Sequence, residues 1–177
     1  MVQSTPSLDP IEAINTSFNK IFQFNGRSRR SEYWWTQTFI LALNVLIPIL
    51  VPTFFALLCL CLLDLMKIPL TVRRLHDTGR SGWWWGVEIL LWFVFFICLS
   101  DDIIHYVDVV LLSTHEPNLA VSPQSFVIDM LLDLFKHGIF FFAIMIYKLV
   151  LLIFCCLDSE PNENDYGDSP KYVESEY

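Results

Sequence analysis

An all-α membrane protein is the fold class this sequence predicts: a four-helix transmembrane bundle preceded by an amphipathic N-terminal helix. Three observations predict it. Apolar residues make up 54% of the chain and charged residues 17%, against about a quarter charged in a soluble domain. The apolar residues come in long runs without the polar face that helical or strand alternation requires, and a run of roughly 18 or more reads as a membrane-spanning helix. The lysines and arginines gather at two places, whereas much of the formal net charge of −8 comes from the tail after Leu157.

Each element follows in order. Residues 1–8 carry no pattern and are expected to be disordered. "DPIEAINTSFNKIFQF" reads as a helix, with Asp9 as cap, Pro10 in the first turn and Glu12 completing a capping box. Ile11, Ile14, Phe18, Ile21 and Phe22 form its apolar stripe, which suits a helix lying on the membrane surface. These first thirty residues hold no apolar core leading to a small-residue cleavage site, so no cleavable signal peptide is expected. From Trp34 to Val72 the chain is almost wholly apolar, with Pro48 and Pro52 near the middle. A tight hairpin of spans near 33–49 and 53–72 is the preferred reading; one long helix kinked at the prolines is the alternative, since proline kinks membrane helices without ending them. A third span is expected near 83–100. Residues Asp101 to Ser125 contain no lysine or arginine and read as a polar extracytoplasmic insert. Ser122 and Pro123 suit a helix start, and the fourth span, near 133–155, follows first turns bearing Asp129, Asp133, Lys136 and His137 that project into the outer headgroup layer. The membrane domain thus covers 9–157, and 158–177 form an acidic tail.

Orientation comes from the basic residues. Arg27, Arg29 and Arg30 precede the first span, and Arg73, Arg74 and Arg80 lie between the second and third. The positive-inside rule makes both segments cytoplasmic, and four spans return the tail to the same side. N- and C-termini are therefore expected in the cytoplasm.

The candidate functional residues divide into three groups. In "RRLHDTGRSGWWW", Arg73 and Arg74 can snorkel to phosphates, Gly79 and Gly82 permit a tight turn, and Ser81 is placed to cap the next helix. Trp34 and Trp35, with Trp83, Trp84 and Trp85, fall at interface depth. His76 and Asp77 are left over. Neighbours on a helix do not face each other, so an acid–base dyad would need a turn there; the plainer reading is a structural clasp in which Glu32, His76 and Asp77 tie the two basic segments together. The six arginines could instead hold anionic lipid, each worth roughly 1 kcal/mol near the surface. Charges inside the spans form the third group, because burying them in lipid is costly: Asp64 and Lys67 in the second, Glu88 in the third, Lys148 in the fourth. All four fall at similar depth, as a neutral cluster or as snorkelling lysines beside acids in polar packing.

The five cysteines, Cys59, Cys61, Cys98, Cys155 and Cys156, show neither zinc spacing nor a disulfide framework and read as small apolar packing residues. No phosphate-binding glycine loop, metal pair or serine nucleophile motif is present, so no metal and no cofactor is expected. The expected partners are membrane lipids and a membrane protein, with no nucleic acid; homo-oligomerisation stays open. Three functions follow: a non-enzymatic membrane protein whose Arg/Trp surface contacts anionic lipid or a partner protein, a small transporter or channel component using the intramembrane charges, or a membrane enzyme acting on lipid headgroups through His76 and Asp77.

"FNGRSRRSEYWW" together with "VRRLHDTGRSGWWW" resembles the DUF805 family of small bacterial inner-membrane proteins. Asn164, Tyr166, Gly167 and Pro170 fall at the spacing of that family's Asn-x-Tyr-Gly-x-x-Pro ending, and Pro69 also fits. The departures are a shortened connection between the first two spans and an added stretch around Asp101 to Gly138. The resemblance implies residence in a bacterial inner membrane and little chemistry, the family being named for its unknown function.

Overall fold

A computed structural model describes residues 2–115 and 122–174. It is helical apart from one small sheet: β1 (Val2–Ser4), α1 (Pro10–Asn19), α2 (Arg30–Leu50), α3 (Thr53–Asp77), α4 (Trp83–His115), α5 (Pro123–Cys156) and β2 (Tyr172–Glu174). Three of the described helices are long and apolar enough to cross a membrane: Arg30–Leu50, Thr53–Asp77 and Gln124–Cys156. The chain divides into two compact units, one of Met1–Trp85 with Leu151–Tyr177 and one of Gly86–Val150.

In the first unit the long apolar run breaks after Leu50. Val51 turns extended, with φ −122° and ψ 139°, and α3 starts at Thr53. Pro52 explains the position, because the residue before a proline is pushed out of the helical region. Pro48 and Pro69 stay inside their helices. Two helices packed on each other therefore replace the kinked single helix. α1 packs on α2, and its buried side differs from the expected stripe. Ala13 and Ser17 are buried while Ile11 and Phe22 stay exposed, because small side chains let α2 approach: Thr36 Oγ1 donates to Ser17 Oγ at 2.8 Å, and Phe18 meets Phe39 edge-on. Asp9 occupies the cap position without a side-chain bond. Its backbone carbonyl accepts from Ala13 instead, so the expected capping box is absent.

Two further expectations are corrected. Residues 1–8 are not patternless, since β1 pairs antiparallel with β2, Gln3 opposite Val173, and Thr5 donates to the Lys171 carbonyl at 2.8 Å. The polar stretch after Ser100 is not a loop as far as His115. α4 continues through it, because Ile103, Ile104, Val107, Val110 and Leu111 keep supplying apolar residues and no glycine or proline interrupts them. The rest of that expected insert, residues 116–121, lies outside the described residues, as do Met1 and 175–177. In the second unit α4 and α5 meet through an aromatic seam in which Trp92 and Phe95 contact Phe141.

Candidate functional site: a buried arginine–aspartate joint

The last turn of α3 carries Arg73, Arg74, His76 and Asp77, and all four are buried. The expected connecting loop is thus the end of a helix, and the turn proper begins at Thr78, with Gly79 at φ +70°. This last turn sends its side chains to the segment before α2, to the end of α5 and to the tail. Burying a charge is costly unless it is paired and hydrogen-bonded, so its partners decide what the site can do.

Asp77 has three donors. Arg27 Nε reaches Oδ1 at 3.1 Å, Ser159 Oγ reaches Oδ2 at 2.5 Å, and Arg74 Nη1 pairs with Oδ2. Both arginines are committed further. Arg27 donates to the carbonyls of Glu160 (2.6 Å), Asn162 (2.8 Å), Gly167 (3.2 Å) and Asp77 itself (3.3 Å). Arg74 donates to the carbonyls of Cys155 (3.0 Å), Ser28 (3.2 Å) and Leu157, while Arg30 takes that of Cys156 at 3.3 Å. A helix leaves its last carbonyls unpaired and negatively polarised. α5 has no glycine at its end, and two guanidinium groups cap it instead.

A second ion pair lies alongside. Arg73 Nη2 meets Glu32 Oε1 at 3.2 Å, and Glu32 also accepts from Ser17. The backbone joins the two pairs: Ser28 donates its N–H to the Arg73 carbonyl at 3.0 Å and its own carbonyl accepts from Arg74. Arg73 Nε and Ser28 Oγ are buried without a partner among the described residues.

His76 turns elsewhere. Its Nδ1 lies 3.2 Å from the Gly26 carbonyl, and its ring stacks flat on Tyr166 with centroids 3.7 Å apart. A carbonyl only accepts, so Nδ1 carries the proton and Nε2 the lone pair. That lone pair faces Gly82, where an added Cβ would sit 2.7 Å from Val72 and 3.5 Å from Nε2. His76 and Asp77 therefore face separate packed surfaces, and the convergence on one substrate that an acid–base pair requires is not present.

The six candidate arginines separate by burial. Arg27, Arg29, Arg73 and Arg74 are withdrawn from headgroup reach, Arg29 being held by Thr5. Arg30 is half exposed at its side chain, and Arg80 lies 4.1 Å over the Phe154 ring. Trp34, Trp35, Trp83 and Trp84 are exposed and Trp85 is half-buried. The four charges expected inside the spans form pairs within each unit: Asp64 with Lys67 at 2.5 Å along α3, and Glu88 with Lys148 at 3.6 Å between α4 and α5.

Sequence reasoning missed the tail's part in the joint. Ser159, Glu160, Asn162, Asn164 and Gly167 supply the acceptors and donors that close it, and Asn164 Nδ2 also bonds the His76 carbonyl at 3.0 Å. The Asn-x-Tyr-Gly spacing was the available signal; what it lacked was the partner. The tail also holds an exposed ion pair outside the helices. Lys171 Nζ lies 2.5 Å from Asp158 Oδ2, and their hydrogen bond holds the carboxyl below the usual carboxylate range and the ammonium above its ordinary value.

Residues 21–168 match the family described as "Protein of unknown function (DUF805)". The chain is 37% identical over 156 residues to the inner membrane protein YhaI of Escherichia coli K12, covering 84% of this chain and 86% of that protein. It is 35% identical over 77 residues to the uncharacterized protein YiiR of the same strain, covering 41% of this chain and 53% of the relative. No solved structure matches it.

Proposed function

Starting from the fact that this chain belongs to the DUF805 family, we propose that it is a non-enzymatic inner-membrane protein whose arginine–aspartate joint is a structural lock and whose remaining cations contact anionic lipid. α4 makes the fourth span through its first half, where Glu88 is the one charged residue between Trp83 and Ser100. Both termini and the joint lie on the cytoplasmic side, as the arginine placement requires. The carrying observation is the saturation of Asp77 and the two arginines beside it. Arg27 and Arg74 have internal acceptors for their buried N–H groups, so lipid contact falls to Arg30 and Arg80, which stand near the tryptophans where apolar helices begin and end.

Lipid-dependent stability tests this. Phosphatidylglycerol added to the detergent-solubilised protein should raise its melting temperature more than phosphatidylcholine does. Arg30→Gln with Arg80→Gln should remove most of that preference, at about 1 kcal/mol, or roughly fivefold, per arginine. An unchanged preference would overturn the lipid reading and leave a partner protein. For topology, cysteines placed at Ser7, Asp168 and Thr114 in a background lacking the native five are informative, since all three positions are exposed. An impermeant reagent added to intact cells should reach Thr114 alone.

The paired charges favour one second reading, a small transporter component. Proteoliposome flux of protons or alkali cations, lowered by Asp64→Asn or Glu88→Gln, would support it. Absence of flux in the unsubstituted protein would remove it.

A further inference from the structure

Of the four charges expected inside the spans, Asp64 is the one that neither the fold nor its own side chain withdraws from lipid. The Glu88 side chain is largely covered. Lys148 is exposed but stands about 12 Å from the end of α5, near enough for its long stem to snorkel. The Asp64 side chain is 63% exposed. It sits about 16 Å from the Thr53 end of α3 and about 20 Å from the Asp77 end, too deep for a short carboxylate to reach either surface. Its one partner among the described residues is Lys67, whose Nζ donates to Oδ1 at 2.5 Å. Oδ2 is left over, in a setting where an unpaired charge is costly, and an ammonium has donors to spare.

Asp64 also stands on a seam. Leu57, Cys61, Asp64 and Ile68 recur at alternating spacings of four and three residues, the pattern along which two parallel helices meet. Leu57, Cys61 and Asp64 are exposed. The packed side of α3 lies elsewhere: Met66 and Leu70 line a small cavity with Ile40 of α2, and Ala56 and Leu70 are buried. Lys67 borders the seam one turn from Asp64.

We propose that this face of α3 is the contact surface of a homodimer, closed by an alternating ring of two carboxylates and two ammonium groups. The charges select the occupant. Two copies inserted the same way present parallel α3 helices about a two-fold axis along the bilayer normal, and such an axis makes every contact reciprocal. Asp64 of one copy then meets the partner's Lys67, and its own Lys67 meets the partner's Asp64. The two residues differ in depth by about 4.5 Å, which a lysine stem spans. Each carboxylate then uses both oxygens, and the ring is neutral without help from water. The proposal rests on α3 crossing the bilayer and not on lipid contact by Arg30 and Arg80.

The test uses the full-length protein in proteoliposomes over a series of protein-to-lipid ratios. Cys61 lies on the seam and serves as the probe, with Cys59, Cys98 and Cys156 replaced by alanine and the buried Cys155 left in place. Iodine, which oxidises two facing thiols to a disulfide, should trap a species of twice the chain mass, and Cys61→Ala should abolish it. Asp64→Leu combined with Lys67→Leu should raise the protein-to-lipid ratio at half-dimerisation about tenfold, the effect of two interhelical polar contacts of ordinary strength in membranes. Asp64→Lys alone and Lys67→Asp alone should each be monomeric, while a mixture of the two should dimerise again, since every contact across the seam is then between opposite charges. If neither of these inserts, the neutral double variant decides. An unsubstituted protein that stays monomeric at every ratio overturns the proposal, as does a half-dimerisation ratio unchanged by the neutral double variant. Cys61 trapped in native membranes only to a different protein overturns it as well.

Discussion

The α3 joint and the Asp102–His137 contact both bury ionisable groups between helices, and they differ in saturation. Asp77 has three donors, and the two arginines beside it have carbonyls to spare. Asp102 Oδ2 and His137 Nε2 lie 3.2 Å apart, and neither atom makes a hydrogen bond among the described residues. A saturated network has no state to switch to: removing any member leaves buried groups unpaired. An unsaturated one already carries buried polar atoms without partners, so removing a member loses little. The first is built for stability and the second adds little to it, although each buries an aspartate between helices.

The sharpest way to break this contrast is to remove the hub of the saturated region. Asp77→Asn leaves Arg27 and Arg74 buried without a counter-charge, and breaking a buried pair from one side typically costs about 3–5 kcal/mol. Unfolding of the reconstituted protein should show a loss of that size, whereas Asp102→Asn should cost far less. A cost for Asp77→Asn below about 1 kcal/mol would mean that the joint is solvated and is not a lock.

The turn that follows the joint gives the next largest effect. Gly79 sits at φ +70° with the Glu160 carboxylate against its Cα hydrogens. Alanine there pays the left-handed penalty of about 1–2 kcal/mol and also displaces Glu160, which holds Asn164 Nδ2 at 2.8 Å. Combining Gly79→Ala with Glu160→Ala separates the two causes. The double variant should keep the backbone strain and shed the collision, so that its cost falls short of the sum of the two single costs.

Tyr166 comes third. Its ring covers His76 at 3.7 Å and an interplanar angle of 3°, and aromatic pairs contribute about 0.5–1.5 kcal/mol beyond area burial. Tyr166→Leu should cost about that much and Tyr166→Phe close to nothing. Equal losses for both would shift the role from the ring to the hydroxyl.

How much of this was legible beforehand depends on the range of each interaction. The hairpin break at Pro52 and the helix start at Pro123 come from local backbone chemistry, which a proline states outright. The pairing of basic segments through Glu32 was readable as charge complementarity, because few acids lie near those arginines in the sequence. The length of α4 is hard to read because Asp101, Asp102, His105 and Asp108 make the stretch look polar, although Ile103 to Leu112 keep supplying apolar residues. The tail was illegible for a different reason. Arg27 recognises backbone carbonyls of Glu160, Asn162 and Gly167, and a carbonyl leaves no mark on residue identity. Gly167 is the exception, its φ of 114° belonging to the conformations glycine favours. The Asp102–His137 contact joins residues 35 apart across two helices and depends on helix phase, which the sequence pattern did not define there.

The smallest predicted effect lies at the edge of the joint, where saturation gives way to water. Asp158 and Lys171 pair at 2.5 Å with the carboxylate about half exposed, so solvent screening holds their contribution to about 0–1 kcal/mol. Its pH dependence has two limits. Asp158 titrates below its ordinary value in the folded state, so its share is present above the ordinary carboxylate pKa of about 3.9 and is lost as pH falls through the depressed folded value. Lys171 titrates above its ordinary value, so its share is complete below about 10.4 and is lost as pH rises through the folded value. Between those limits the pair is flat with pH. Lys171→Met should therefore lower stability by less than about 1 kcal/mol, by the same amount at pH 5 and pH 8, and by less in high salt, since exposed charges are screened. A loss several times larger would extend the lock to the strand pair that Lys171 adjoins, because Thr5 donates to the Lys171 carbonyl and Arg29 holds Thr5. A loss that changed between pH 5 and pH 8 would place a titrating group beside Lys171.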